Sequence, residues 1–460
     1  MKMRIALAVV LVRLTLQGLG LVAVAQGPAG TWASGIQIQN QSETANANIT
    51  ITFYWAMGTA NEGEVAHIFN DVIEAGKSKT YYVPSHIEGL PSDFVGSAVV
   101  TADQPVAAIL NTTRADGDLK RMGSATGVLS PASNVFAPYL RKHFYGRNSY
   151  VAIQNTSDQQ ASVTVTYYDG QTGDQIAAAT ETWTIPAFTT KISYQDANND
   201  LPSGFSGSAV IAGNQPLAVV VNNANAGTDV DTSGFESYNG LATGSTTLYL
   251  PKLTVNYYGY QSSFTVQNVG DAPADVTVTY TFGGDTYTQT RTGLAPNAAW
   301  AVYLATQSTL PDGLVGAGAA VVTSNQPLVG LVTEVRREMG YAVISSAVAQ
   351  GTATNAVLFP KFTYEYYNYS GGIQIQNISD QATTVTLVFS QAGRADVTVS
   401  TSIPAGQSAS WFGTHVPGLT QDFNGSVTAV SDGQPIAGIY TERNNLQPGD
   451  TYVAYNGIQK

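Results

Sequence analysis

The pair Gln-Asn closes a short apolar run at four places, Gln39-Asn40, Gln154-Asn155, Gln267-Asn268 and Gln376-Asn377, in steps of 115, 113 and 109 residues. Two further phrases keep their order behind it. One is FVGSAVV from Phe94, answered by FSGSAVI from Phe205, LVGAGAA from Leu314 and FNGSVTA from Phe423. The other is Gln-Pro before an apolar run, at Gln104-Pro105, Gln215-Pro216, Gln326-Pro327 and Gln434-Pro435. Tandem recurrence of about 110 residues means four copies of one folding unit, since that length is an independent domain and far exceeds a solenoid repeat.

Within a unit the hydrophobic period is two. Val163, Val165 and Tyr167 alternate with Thr164, Thr166 and Tyr168, and DVTVTYTF from Asp275 repeats the pattern, which sends alternate side chains to opposite faces of a strand. Clusters of Gly, Asn, Asp and Pro separate such runs. The expected fold class is all-β: four tandem immunoglobulin/fibronectin-like antiparallel β-sandwich domains after a signal peptide. The boundaries are 1–25 for the signal peptide and 26–135, 136–247, 248–356 and 357–460 for repeats 1 to 4. The tandem order suggests a rod. A composition of 11% charged residues with 45 Gly and 25 Tyr suits sheets better than helices.

The leader reading rests on Lys2 and Arg4, the apolar run IALAVVLV from Ile5, and the small residues Ala23-Val24-Ala25 before Gln26. It implies a secreted, extracellular or cell-surface protein with no membrane span in the mature chain. With no cysteine, each domain is expected to hold by sheet and core alone. A net charge of -12 repels phosphate backbones and argues against nucleic acid as a partner.

The asparagines Asn40, Asn155, Asn268 and Asn377 fall where each domain must turn, and are expected to hydrogen-bond the backbone of that turn. Pro138, Pro251 and Pro360 each precede the repeated glutamine by 16 residues, whereas 16 back from Gln39 lies Ala23, inside the leader. Repeat 1 is therefore expected to lack its first strand, leaving a trimmed edge or one that a partner strand fills.

After those prolines come the aromatic pairs Phe144-Tyr145, Tyr257-Tyr258 and Tyr366-Tyr367. Strand alternation would turn one of each pair inward and the other outward, either onto the neighbouring domain or onto sugar rings. Tyr364, Tyr366, Tyr367 and Tyr369 make the densest patch. Candidate ligand contacts are these four with Tyr257 and Tyr258. Acidic loop pairs at Asp116 and Asp118 and at Asp229 and Asp231 have the oxygen-rich chemistry of a calcium site or of an ordinary solvated turn. No other cofactor is expected. Lys252 and Lys361 follow their prolines, but Tyr139 holds that place in repeat 2, so a shared lysine crosslink is not expected.

No constellation for catalysis stands out. The four histidines fall at unrelated places, and the chain has no Gly-X-Ser-X-Gly, no His-Glu-X-X-His and no phosphate loop, so no enzyme is expected. The combined phrase DFVGSAVVTADQPVAAIL from Asp93, with AIQNTSD upstream and IPA between in the second repeat, resembles a recurrent β-domain of secreted bacterial surface proteins. That resemblance implies place and build, and carries no site residues. The function expected is structural or adhesive, as a spacer, surface coat or matrix component with protein or polysaccharide partners. The alternative is polysaccharide binding through outward tyrosines.

Overall fold

The computed structural model describes residues 5–8, 31–83, 85–116, 119–225 and 234–460. Each repeat is an antiparallel sandwich of two sheets. In repeat 2 the strand Ala132–Lys142 lies beside the first half of Phe205–Asn225, which pairs on its other side with Ala161–Asp169, followed by Glu181–Ile185. The second sheet runs Thr190–Tyr194, Arg147–Asn155, the second half of Phe205–Asn225, and Phe235–Asn239. The 21-residue strand belongs to both sheets because its register jumps between Ala212 and Leu217, where Gln215-Pro216 stands. Proline cannot donate to a ladder, so a corner suits it. In repeats 1 and 4 the same stretch is broken into Gly96–Ala102 with Val106–Asp116, and Phe423–Ser431 with Ile436–Asn444.

The period-two pattern becomes core on one side. Val163, Val165 and Tyr167 are buried together with Val151, Ile153, Phe205 and Ile211. The four asparagines are fully buried and answer the turn. Asn155 Nδ2 reaches the carbonyls of Gln159 at 2.6 Å, Pro186 at 3.0 Å and Ile185 at 3.1 Å, and its Oδ1 accepts from the amide of Ser157. Asn40, Asn268 and Asn377 repeat the pattern on Ala45, Ala272 and Gln381. The adjacent residue ties the two phrases together, since Gln41, Thr156, Val269 and Ile378 each donate an amide to the proline of the Gln-Pro pair. Asn155→Ala is expected to cost about 1–3 kcal/mol for each carbonyl left unpaired. Asn155→Asp should not rescue, because a carboxylate has no proton to offer those carbonyls; thermal unfolding of the two variants checks this.

In repeat 1 part of the segment read as leader stands where the other repeats place their first strand. The edge of Gly96–Ala102 is not left open: Ile5–Ala8 pairs with Thr101–Ala98, the place that Ala132–Lys142, Ser245–Val255 and Ala356–Tyr364 take in repeats 2, 3 and 4. Those four residues fall within the segment read as leader, whose residues 1–4 and 9–25 lie outside the described residues. The pairing is only four residues long.

The expected rod does not form either, because the outer faces of the sheets find each other. The second sheet of each repeat packs on the first sheet of the repeat before it. Val99 of repeat 1 is buried with Ala152, Ala218 and Val220 of repeat 2, and Tyr249 of repeat 3 with Ala437 of repeat 4. The same contact closes the chain on itself, where Ala107 of repeat 1 is buried against Leu358 of repeat 4. A head-to-tail contact that closes makes a ring. The repeated glutamine serves these junctions: Gln267 Nε2 donates to Ser208 Oγ at 2.7 Å across the junction of repeats 2 and 3. In repeats 1 and 4 the glutamine two residues before it does the same: Gln374 donates to the carbonyls of Pro251 and Gly318, and Gln37 to that of Gly425, 388 residues away. The serine of GSAV is the partner again in repeat 1, where Ser97 Oγ donates to the Phe188 carbonyl that also accepts from Gln154.

The last long strands of the four repeats, Leu119–Thr126, Phe235–Asn239, Tyr341–Ser346 and Val453–Asn456, are sheet edges, and they meet around the ring axis. An unpaired edge invites foreign strands. Here side chains cover it. Asn239 Oδ1 accepts from the Thr126 amide at 2.9 Å while its Nδ2 donates to the Thr126 carbonyl at 2.7 Å, and Asn456 does the same for Ser346 at 2.8 and 2.6 Å.

Candidate functional site

Three aromatic tips stand on the face of the ring where the last strands begin. The turns between the first two strands of repeats 2, 3 and 4 are two-residue corners closed by reciprocal backbone bonds, Phe144 with Arg147, Tyr257 with Tyr260 and Tyr366 with Tyr369. Their central residues have positive φ: Tyr145 at 47° and Gly146 at 73°, Tyr258 at 52° and Gly259 at 81°, Tyr367 at 47° and Asn368 at 66°. Two left-handed residues in succession are the pattern of a type I′ turn, which favours Asn and Gly. The second central position obeys that preference and the first does not. A tyrosine there carries backbone strain, of the order of 1–3 kcal/mol.

These tyrosines are 84, 76 and 73% exposed in chain order, so the core of the fold does nothing to offset the strain. Each meets its preceding aromatic ring edge-on, at 4.7, 4.6 and 4.7 Å between centroids. The expectation of one ring inward and one outward along a strand is corrected: both members sit on a corner, where strand alternation does not apply. Phe144 and Tyr366 are half-buried and Tyr257 is exposed.

A second aromatic comes from the following repeat. Tyr82, Tyr303 and Phe412 occupy the same register position in repeats 1, 3 and 4, opposite Gly35, Ser263 and Gly372, and all three are exposed. Tyr303 lies within electrostatic range of Arg141 near the tip of repeat 2. Arg141 itself lies over the rings of Tyr139 and Phe144, 4.0 and 5.1 Å from their centroids. Burial pulls its guanidinium down to about 10 against the opposing pull of Glu236 and Tyr303. At the closing junction Tyr82 of repeat 1 lies within electrostatic range of Tyr366 and Tyr367 of repeat 4; burial first, then those neighbours with Glu442, raises its hydroxyl.

The patch from Tyr364 to Tyr369 thus divides by role. Tyr367 is a tip. Tyr364 and Tyr369 are half-buried. The Tyr369 hydroxyl points at Met122 Sδ of repeat 1, 3.3 Å away, and burial with Glu442 nearby pushes it up to about 12. Sequence reasoning singled out Tyr257, Tyr258, Tyr366 and Tyr367. It passed over Tyr82, Tyr303 and Phe412, although their recurrence after the same strand was a usable signal.

Behind the tips lie buried ion pairs in which the lysines take part. Lys252 Nζ meets Glu334 at 2.7 Å and Lys361 Nζ meets Glu442 at 2.5 Å, with Arg147 and Glu236 paired at 2.6 Å in repeat 2. Of the calcium candidates, Asp118, Asp229 and Asp231 lie outside the described residues, and Asp116 is the last residue of its strand. Among the described residues no group of three or more His, Asp or Glu side chains is placed to hold a metal ion. Nor is there among them a helix long and apolar enough to cross a membrane.

Fold and face define an all-β protein of tandem antiparallel sandwiches. No family model matches the chain, and no curated protein matches it. Among solved structures it is similar to a Salmonella alpha-2-macroglobulin reacted with methylamine, at 8% identity and a TM-score of 0.16, covering 100% of this chain and 40% of that one. It is also similar to the native conformation of an E. coli alpha-2-macroglobulin, at 10% identity and a TM-score of 0.12, covering 94% and 38%. The chain spans about two fifths of those proteins. At such scores the likeness carries no argument about function.

Proposed function

We propose that this chain is a non-catalytic extracellular adhesive protein that holds polysaccharide on the aromatic face of its ring. The observation that carries the reading is the set of three tip tyrosines, left exposed on strained corners. Folding alone favours Asn or Gly there, so the rings earn their place outside the fold. Sugars offer apolar faces to flat side chains, and several weak sites on one rigid body add by avidity. A ring does not serve as a rod-like spacer, so the structural part of the role is that of a compact scaffold. The leader-like segment and the resemblance to domains of secreted bacterial surface proteins support the extracellular setting.

The test replaces Tyr145, Tyr258 and Tyr367 together by asparagine. This variant is expected to unfold no earlier than the parent, since asparagine tolerates the left-handed backbone better. Retention on insoluble polysaccharides and isolated cell envelopes should fall about tenfold or more through lost avidity. Retention equal to the parent's would sink the reading, and earlier unfolding would assign the tyrosines to the fold.

A further inference from the structure

The far end of the ring axis holds a cavity of about 290 Å³, and all four repeats line it. Its wall is built where the last strands finish: Ser124 and Thr126 from repeat 1, Ser237 and Asn239 from repeat 2, Ser346 from repeat 3, and Asn456 from repeat 4. We infer that this axial cavity is a binding site for a small neutral polyhydroxylated molecule, a single sugar unit or a polyol.

The chemistry of the wall decides the class. Not one lining residue is Asp, Glu, Lys, Arg or His, so a charged ligand would lose its hydration and gain no counter-charge. A purely apolar ligand would strip water from hydroxyls and amides without replacing their hydrogen bonds. A polyol matches both donors and acceptors. The Ser124, Ser237 and Thr126 hydroxyls donate to Asn111, Asn222 and Asn239, which leaves their lone pairs to accept, and Asn239 and Asn456 each keep one N–H to donate, while Ala125, Leu241, Ile344 and Val348 offer apolar contact to the C–H faces of a sugar or polyol. The volume lies at the small end of the range for ligand sites, which suits one ring rather than a chain. The wall is also held in advance, because Asn239 and Asn456 are fixed by their bonds to Thr126 and Ser346. A preorganised wall spares the ligand the cost of ordering it.

This site is independent of the aromatic face, which lies where the same strands begin. Calorimetric titration of the full chain with glucose, mannitol and glucuronate tests it. Glucose or mannitol is expected to bind, and glucuronate to bind at least about tenfold more weakly. The variants Ala242→Trp and Thr352→Trp each place a bulky side chain at exposed positions of the cavity lining, where folding should tolerate it. Each is expected to weaken binding about tenfold or more, while the triple tip variant leaves it unchanged. Absence of heat with both neutral probes at millimolar concentration overturns the inference. So does binding that neither tryptophan variant reduces, or glucuronate binding as tight as glucose.

Discussion

Asp450→Ala is expected to unclasp repeat 4 from repeats 2 and 3 at a cost of about 1–3 kcal/mol for each amide it leaves unpaired. Asp450 is fully buried near the ring axis. One carboxylate oxygen accepts from the amides of Phe235 at 2.9 Å and Ala342 at 3.1 Å, which begin the last strands of repeats 2 and 3, and the other accepts from Tyr452 at 3.3 Å. Its own carbonyl accepts from Met122 of repeat 1 at 2.8 Å. A single residue therefore touches all four repeats. Burial pushes the carboxyl well above its usual range despite the three amide bonds, with Glu236 nearby adding to the rise.

Alanine keeps the main-chain link to repeat 1 and removes the rest. Hydrogen exchange should accelerate at Phe235 and Ala342 ahead of the sandwich cores, since a junction opens before a domain does. Asp450→Asn keeps one acceptor oxygen and is expected to lose less. Exchange at those two amides that matches the parent in the alanine variant would show that the ring holds without this clasp.

The second large effect is expected at Glu442. Its carboxylate is fully buried, takes the Lys361 ammonium at 2.5 Å and accepts from the Thr363 hydroxyl. Glu442→Ala strands a mostly buried lysine charge, and breaking such a pair costs about 3–5 kcal/mol. The double variant Glu442→Leu with Lys361→Met removes both charges, and replacements of that kind are often neutral or stabilising. The urea midpoint should therefore drop sharply in the single variant and largely recover in the double one. A single variant as stable as the parent would mean that Lys361 finds water or another partner, the Tyr369 ring 5.6 Å away being the nearest candidate.

The two parts of the site differ in how far the sequence exposed them. Tyr257, Tyr258, Tyr366 and Tyr367 were legible because aromatic pairs recur at one distance from a recurring proline. That they sit on a corner was less so, since tyrosine is the wrong residue for the turn it makes. Asn40, Asn155, Asn268 and Asn377 were legible as turn residues because their partners lie within the same repeat, the nearest only four or five residues on. The glutamine before each was the signal passed over. Gln154 shares no phase with Val151 and Ile153, so it read as a solvent-facing residue, yet it is fully buried at a junction. Small and polar side chains such as Gln267, Ser208 and Ala437 look alike on a wet sheet face and on one that meets a second sheet.

By itself the sequence determined the unit: its length, its two-sheet build, its turns and its fourfold recurrence. These follow from local rules, the period of two and the chemistry of Asn, Gly and Pro at turns, which act over a few residues. Only the tertiary structure decided that the four units close into a ring, that their edge strands are sheltered around one axis, and that an uncharged cavity forms there. Those features depend on groups hundreds of residues apart, such as Gln37 and Gly425, and on the rotation from each sandwich to the next. No local pattern encodes that rotation, because it is set by how two outer sheet faces fit when they meet.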